Sequence, residues 1–465
     1  VAAVAAVAIS GPLTAFASAP AAAVGSARPP GGSYVPLTPS MIVDTRTGLG
    51  DVPTGPTRTL VVDTAGRAGI PAAGVSAVAV NITAIGGSVS GFVTAYPTGS
   101  ARPQTSNVPF ASRQNAAQMA VVPVSRAGQL TLAASAPAQL ALDVEGYFTT
   151  PGTATASGLF NPLDPARIMD SRSGLGGAAP GPGGLTSLQV TGRGGVPATG
   201  VSAVVVNTTV TGPTRDGFVT DFAAASPRPS TSTVGFRHGQ TVANRAIVPL
   251  GAGGRISIFN AAGTTQVVVD VTGFFTDGRH NTAGGYYVPL RAARLVDTRF
   301  WRAPSYRSTR TVRTQRIAGQ TCVLSPDRTV CGGALVPPVT ATPRPIAALL
   351  TITAAPRGSG GHLTAFAADA PVPLTSDVSF SDGPVANLAF VSLGARGEVS
   401  VKNSGAAADV MEDVCGYFVL PPPSQVSLSP VPPSRTPLFL GPRSRLMPAA
   451  PPNRLPPSGR PLTDP

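Results

Sequence analysis

The chain reads as an all-β protein of three tandem antiparallel β-sandwich domains with a disordered proline-rich C-terminal tail, and three observations predict it. Apolar residues alternate with period two in short runs, turn-forming residues separate those runs, and one long pattern is written three times. No stretch beyond the N-terminal segment holds a helical period for three turns. With 53 glycines, 50 prolines and only 12% charged residues, the composition suits short strands joined by turns.

The alternation is clearest in two places. In Ser76–Thr83, Val78, Val80 and Ile82 share one strand face, while Ala77, Ala79 and Asn81 share the other. Near the end of the first copy, Leu140, Leu142 and Val144 alternate with Ala141, Asp143 and Glu145.

The repeat fixes the organisation. MIVDTR (41–46) returns as RIMDSR (167–172) and RLVDTR (294–299), with Asp44, Asp170 and Asp297 spaced 126 and 127 residues apart. GVSAVAVNIT (74–83), GFVTAY (91–96) and RPQTSNVPF (102–110) have counterparts in the same order in the other copies. Each copy closes on DVEGYF (143–148), DVTGFF (270–275) or DVCGYF (413–418). Units of this length match whole domains rather than solenoid repeats. The expected divisions are a signal-like segment at 1–27, sandwiches at 34–149, 160–276 and 286–419, and a tail at 421–465. The third unit carries a cysteine hairpin insertion. TTPGTATASGLFN and TDGRHNTAGG read as linkers. Proline supplies 15 of the last 45 residues, too many for a packed core.

The N-terminus is an apolar run followed by small residues, Ala17-Ser18-Ala19 and Gly25-Ser26-Ala27, where a signal peptidase could cut. With no initiating Met and no basic n-region, the start reads as clipped or as begun at a valine codon. No later segment approaches the ~18 apolar residues of a membrane span, so the expectation is an exported protein with no transmembrane segment in its mature chain. Cys322 and Cys331 flank a turn-like Ser325-Pro326-Asp327, which reads as a hairpin disulfide or as two free thiols; Cys415 is left over.

The repeated phrase, R-[IL]-[VL]-D-T-R-x-G through V-x-N-[VI]-T, G-[FY]-[VL]-T and D-V-x-G-[YF]-F, resembles a repeat of exported actinobacterial proteins. The match rests on Ile42 to Gly48, Asn81 to Thr83, Gly91 to Thr94, Ser106 to Phe110 and Asp143 to Phe148, with Ala243-Asn244 and Ala386-Asn387 supplying a further element. It covers about 34–149, 160–276 and 286–419. The resemblance implies surface location and modularity, and implies no activity of the repeat itself.

Candidate chemistry divides into repeated and unrepeated residues. Asp44 with Arg46, Asp170 with Arg172 and Asp297 with Arg299 form a ligand grip or a structural clasp. As a clasp, Arg46 would reach Asp143, Arg172 would reach Asp270 and Arg299 would reach Asp413. Retention in all three copies favours the clasp, since catalysis needs one good copy. Gly48 and Gly50, with Gly174 and Gly176, read as turns. Gly146, Gly273 and Gly416 read as a bulge or a positive backbone angle. Asn107, Gln118, Asn244, Asp377 and Asn387 read as turn formers before calcium or sugar ligands.

Histidines 238, 280 and 362 fall at unrelated positions, and no nucleophile elbow is present. The chain therefore reads as a non-enzyme with no cofactor and no metal. The net charge of +13 is almost all arginine, a bias that a GC-rich genome also produces. One segment, 291–316, concentrates eight arginines. Arg291, Arg294, Arg302, Arg307, Arg310, Arg313 and Arg316, with Trp301 and Tyr306, form the candidate ligand surface. For an exported protein the matching partner is a cell-wall polymer or extracellular glycan rather than nucleic acid. The expected function is binding or adhesion, with a stalk or surface-layer spacer as the alternative and a hydrolase with an unrecognised site as a third reading. LPPSG (455–459) looks like a sortase motif but lacks the apolar span and basic end that should follow.

Overall fold

The period-two runs become strands. The computed structural model describes residues 30–299, 311–324, 329–331, 334–358 and 360–421, with backbone only at 322–324 and 329–331. The signal-like segment, the tail with its LPPSG and the middle of the arginine-rich segment lie outside the described residues.

The second repeat shows the plan. One sheet orders the strands Val242–Pro249, Val201–Thr211, Gln266–Asp277 and Ser157–Asp170. A second sheet orders Val234–Phe236, Gly217–Ala223, Arg255–Asn260 and Leu185–Gln189. All pairings are antiparallel. The third repeat has the same order, from its opening strand Tyr286–Asp297 to its closing strand Ala408–Val419. In the first repeat one strand, Gln129–Thr149, runs through both sheets and joins them. Between its faces each sandwich holds its own apolar core, containing Val78, Val80 and Ile82 in the first repeat.

The other face of the first sheet is not solvated. Ala77 and Ala79 join Ala203, Val205, Ala347 and Leu349 in a fourth core shared by all three repeats. This is why the closing strand Ala408–Val419 is buried at every position, on both faces, as parallel strands usually are. Six aromatic rings occupy the middle. Tyr34 lies 5.1 Å from Phe148 and 4.6 Å from Phe275; Phe160 lies 5.3 Å from Phe275 and 4.3 Å from Phe418; Tyr287 lies 5.4 Å from Phe418 and 4.2 Å from Phe148. Each opening-strand ring thus touches its own closing phenylalanine and that of another repeat, and the cycle closes from the third repeat back to the first.

The stretches read as linkers are part of this packing. The second opening strand already begins at Ser157, and backbone bridges tie Gly32 to Tyr287 and Phe160 to Gly285. Small residues are required there because backbones meet: a Cβ on Gly158 would strike the Tyr34 carbonyl, and one on Gly32 the Thr149 carbonyl. The repeats are tandem along the chain yet do not stand apart as beads.

Of the two readings of Gly146, Gly273 and Gly416, the bulge is the one observed. Ala79 pairs with Gly146 and Val80 with Val144, leaving Glu145 as the extra residue; Thr272 and Cys415 are its equivalents. The glycine fits against an opening-strand ring, since a Cβ at Gly273 would lie 2.4 Å from the Phe160 ring. The turn reading of Gly48 and Gly50 fits their φ of 76° and 89°. In the cysteine hairpin the backbone register sets Cys322 opposite Cys331, while their side chains lie outside the description. Cys415 is a free, buried thiol whose Sγ donates to the Leu349 carbonyl.

Gly273→Ala should cost roughly 1–3 kcal/mol through overpacking. Denaturant unfolding measures it, and an unchanged midpoint would mean that the ring yields at no cost.

Candidate functional site

The polar residues of the repeat converge on the junctions between repeats. At the junction of the first and second, Asn81 Nδ2 donates to the Ser232 carbonyl at 2.8 Å, and Asn244 Nδ2 donates to Asn81 Oδ1 at 3.0 Å. At the next junction Asn207 Nδ2 donates to the Ser376 carbonyl at 2.5 Å, and Asn387 Nδ2 to Asn207 Oδ1 at 2.8 Å. The third junction has Thr351 and Gln118 at those places, and Gln118 Oε1 is buried without a partner. The A-N and V-x-N-x-T elements are therefore one device, an asparagine pair that satisfies backbone groups across a buried seam. Asn107 and Asp377 serve the same seams from within, accepting the Ala95 and Ala365 amides at 2.8 and 2.7 Å.

The expected clasp has a different partner. Asp44 ends its strand and the chain turns, so Arg46 folds back on Asp44, with Nη2 to Oδ2 at 2.7 Å. Arg172 binds Asp170 and Arg299 binds Asp297 in the same way, both at 2.7 Å. These pairs hold the Asp44, Asp170 and Asp297 carboxyls below their ordinary range; at Asp44 the Arg46 hydrogen bond is the largest cause. Arg46, Arg172 and Arg299 do not reach Asp143, Asp270 and Asp413, because a turn, rather than a continuing strand, follows the aspartate. The closing aspartates are met instead by the arginine that begins the phrase. Arg167 Nε donates to Asp270 Oδ1 at 2.8 Å, and Arg294 Nε to Asp413 Oδ1 at 2.8 Å. The clue was legible: RIMD and RLVD both begin with Arg, whereas the first copy has Met41.

That substitution leaves Asp143 without the guanidinium its equivalents have, and its Oδ1 has no hydrogen-bond partner. Asp143 lines a cavity of ≈ 10 Å³ with Asn81, Glu145 and Asp221, about one water in size. Glu145 Oε2 accepts the Ile247 amide at 3.1 Å, and Asp221 Oδ2 accepts the Thr208 hydroxyl at 2.6 Å. Burial pushes Asp143 and Asp221 up to about 7 and Glu145 up to about 8, with no cation beside Glu145 or Asp221 to offset it. Among the described residues no group of His, Cys, Asp and Glu is arranged to hold a metal ion. At the next junction Arg245 is wholly buried, pairs with Asp377 and donates to the Leu388 carbonyl at 2.9 Å. Sequence reading missed it, although it stands where Met119 and Leu388 do in the other copies.

The proposed arginine surface divides. Arg294 is committed to Asp413 and Asp297, so it is not available to a ligand; it begins the repeated phrase and faces the closing strand. Arg291 is exposed, and Arg313 and Arg316 lie on Val312–Arg316, an edge strand of an outer sheet, with Arg316 3.8 Å from Glu398. Trp301, Arg302, Tyr306, Arg307 and Arg310 lie outside the described residues.

No family model and no curated protein matches this chain. Among solved structures, one described with the triple jelly roll fold and turret assembly of an archaeal virus is 10% identical, spans 84% of this chain and 90% of its own, and gives a TM-score of 0.18. A second, from the Sulfolobus Turreted Icosahedral Virus, is 10% identical over 78% and 83% of the two chains, with a TM-score of 0.17. Superpositions this loose carry no argument about the chain, and its all-β architecture rests on its own strands.

Two outcomes test the junctions. Arg172→Ala should change stability by less than about 1 kcal/mol, because Arg172 is half exposed. Arg167→Ala should cost roughly 3 kcal/mol by stranding the buried Asp270; equal losses in denaturant titration would refute the assignment. For pH, the sign follows from proton binding. Between about pH 4 and the raised values near 7 to 8, the folded chain holds protons that the unfolded chain has released. Stability should therefore fall as pH rises through that window and level off above it. A Tm at pH 8 below that at pH 5, with the difference reduced in Asp143→Asn, is the expected result.

Proposed function

We propose that the chain is a non-catalytic module of an exported or cell-surface protein that binds cell-wall polymer or extracellular glycan. One observation carries the reading: the shared core takes up one sheet of every repeat and leaves the other facing outward. The edge strands of those outer sheets, Thr57–Asp63, Leu185–Gln189 and Val312–Arg316, are largely exposed. One body thus offers three related surfaces, an arrangement suited to a repetitive ligand by multivalency. The repeated Asp, Arg and Asn residues are spent on turns and seams, so binding falls to outward residues that the copies do not share. Arginine in excess of carboxylates favours an anionic ligand.

The spacer alternative is weakened by the packing, since repeats closed around one core reach less far than repeats strung in a line. Sedimentation of the chain with insoluble wall polymer tests the proposal. Binding that weakens as salt rises is expected, and no co-sedimentation at low salt would leave the spacer.

A further inference from the structure

The outer sheet of the second repeat carries a row of apolar side chains on neighbouring strands. Leu185 pairs directly opposite Phe259, and Phe259 pairs with Thr220, so that Phe218, two residues before Thr220, lies on the same face. The Phe218 and Phe259 rings are 6.2 Å apart and tilted by 51°. Leu185 is 59% exposed, and both phenylalanines are half-buried. The exposed Arg228 sets its guanidinium 4.2 Å from the centre of the Phe259 ring. Arg255 lies on the same face, bonded to the Ser187 hydroxyl at 2.9 Å and the Gln189 amide oxygen at 3.2 Å. Among the described residues no carboxylate pairs with Arg228 or Arg255.

This row is no part of the sandwich core. The sandwich core beneath it uses Val219, Ile256 and Ile258, on the opposite face of the same strands. Residues of this type face water at a cost, and contiguous partly exposed apolar groups beside cations with no carboxylate partner mark a contact surface. The first repeat has a smaller version at equivalent positions: Phe92 is exposed, with Arg102 5.6 Å from its ring centre. The third has His362 and Val372 there instead.

We propose that the outer sheet of the second repeat is a binding platform for an acidic polysaccharide, with the Phe92–Arg102 pair as an auxiliary contact. This rests on the glycan-binding reading and names its ligand class. The apolar faces of sugar rings pack on Phe259, Phe218 and Leu185. The carboxylates of uronic acid units meet Arg228 and Arg255, and sugar hydroxyls meet Ser187 and Gln189. A second, weaker platform on the same body argues for a polymer over a single sugar, because a chain can engage both.

The test is affinity electrophoresis of the whole chain in gels containing polygalacturonate, its neutral methyl ester, or anionic wall polymer. The chain should be retarded by polygalacturonate and not by the ester. Phe259→Ala and Arg228→Gln should each weaken the retardation about tenfold without moving the unfolding midpoint; Arg228 is exposed, so its variant tests the platform even if Phe259→Ala perturbs folding. Phe92→Ala should weaken it less. Retardation by polygalacturonate that survives both main variants, or equal retardation by the ester, would overturn the platform. If those results came with wall-polymer binding intact, the broader glycan-binding reading would stand without it. Absence of retardation in every gel would overturn both.

Discussion

A closed cycle of six aromatic rings is the contact on which the rest of the molecule depends. Tyr34, Phe160 and Tyr287 enter from the opening strands, and Phe148, Phe275 and Phe418 from the closing strands, all essentially fully buried. Side chains of this size bury 150–250 Å² each, so the cycle supplies a strong non-directional attraction between repeats. It also fixes which repeat sits beside which, because each ring fits between two others. The bulge glycine exists to admit the ring, and the bulge residue beside it is turned into the seam.

Closing three sandwiches around one core makes their facing sheets buried on both sides. Every polar group on those sheets must then find a partner inside the protein. The asparagine pairs at two seams answer that requirement by bonding to backbone carbonyls of the neighbouring repeat. The aspartates of the closing strands answer it with Arg167 and Arg294. The seams are not alike. The seam between the first and second repeats has Met41 in place of the arginine, with Asp143, Glu145 and Asp221 around a small cavity. The next seam holds Arg245 and Asp377. The three seams thus differ in their charges: buried carboxyls with no paired arginine at the first, the Arg167–Asp270 and Arg245–Asp377 pairs at the second, and the Arg294–Asp413 pair beside Cys415 at the third.

A shared core also assigns the outward sheets. One sheet of each repeat is committed to its neighbours, and the other faces outward. On the outward sheets too the copies differ in kind, with Phe218 and Phe259, Phe92 and Ala133, or His362 and Lys402 at matching places.

Strand period, turn residues and threefold copying were written in the sequence, because alternation and punctuation are local properties that a single strand expresses by itself. The faces of Val78, Val80, Ile82 and Ala77, Ala79, Asn81 were legible for the same reason. What covers the second face was not, since a buried and a solvated alanine look alike in a line of text. The importance of the Asp and Arg residues was legible from their repetition, but their partners were not. Whether Arg46 or the phrase's first position reaches the closing strand depends on where the chain turns after Asp44, and the turn is set by the Asp44 carboxylate taking the Arg46 amide. Sequence alone determined an all-β chain written three times. Tertiary structure decided that the copies share a core, because only closure brings residues more than a hundred positions apart into one ring of contacts.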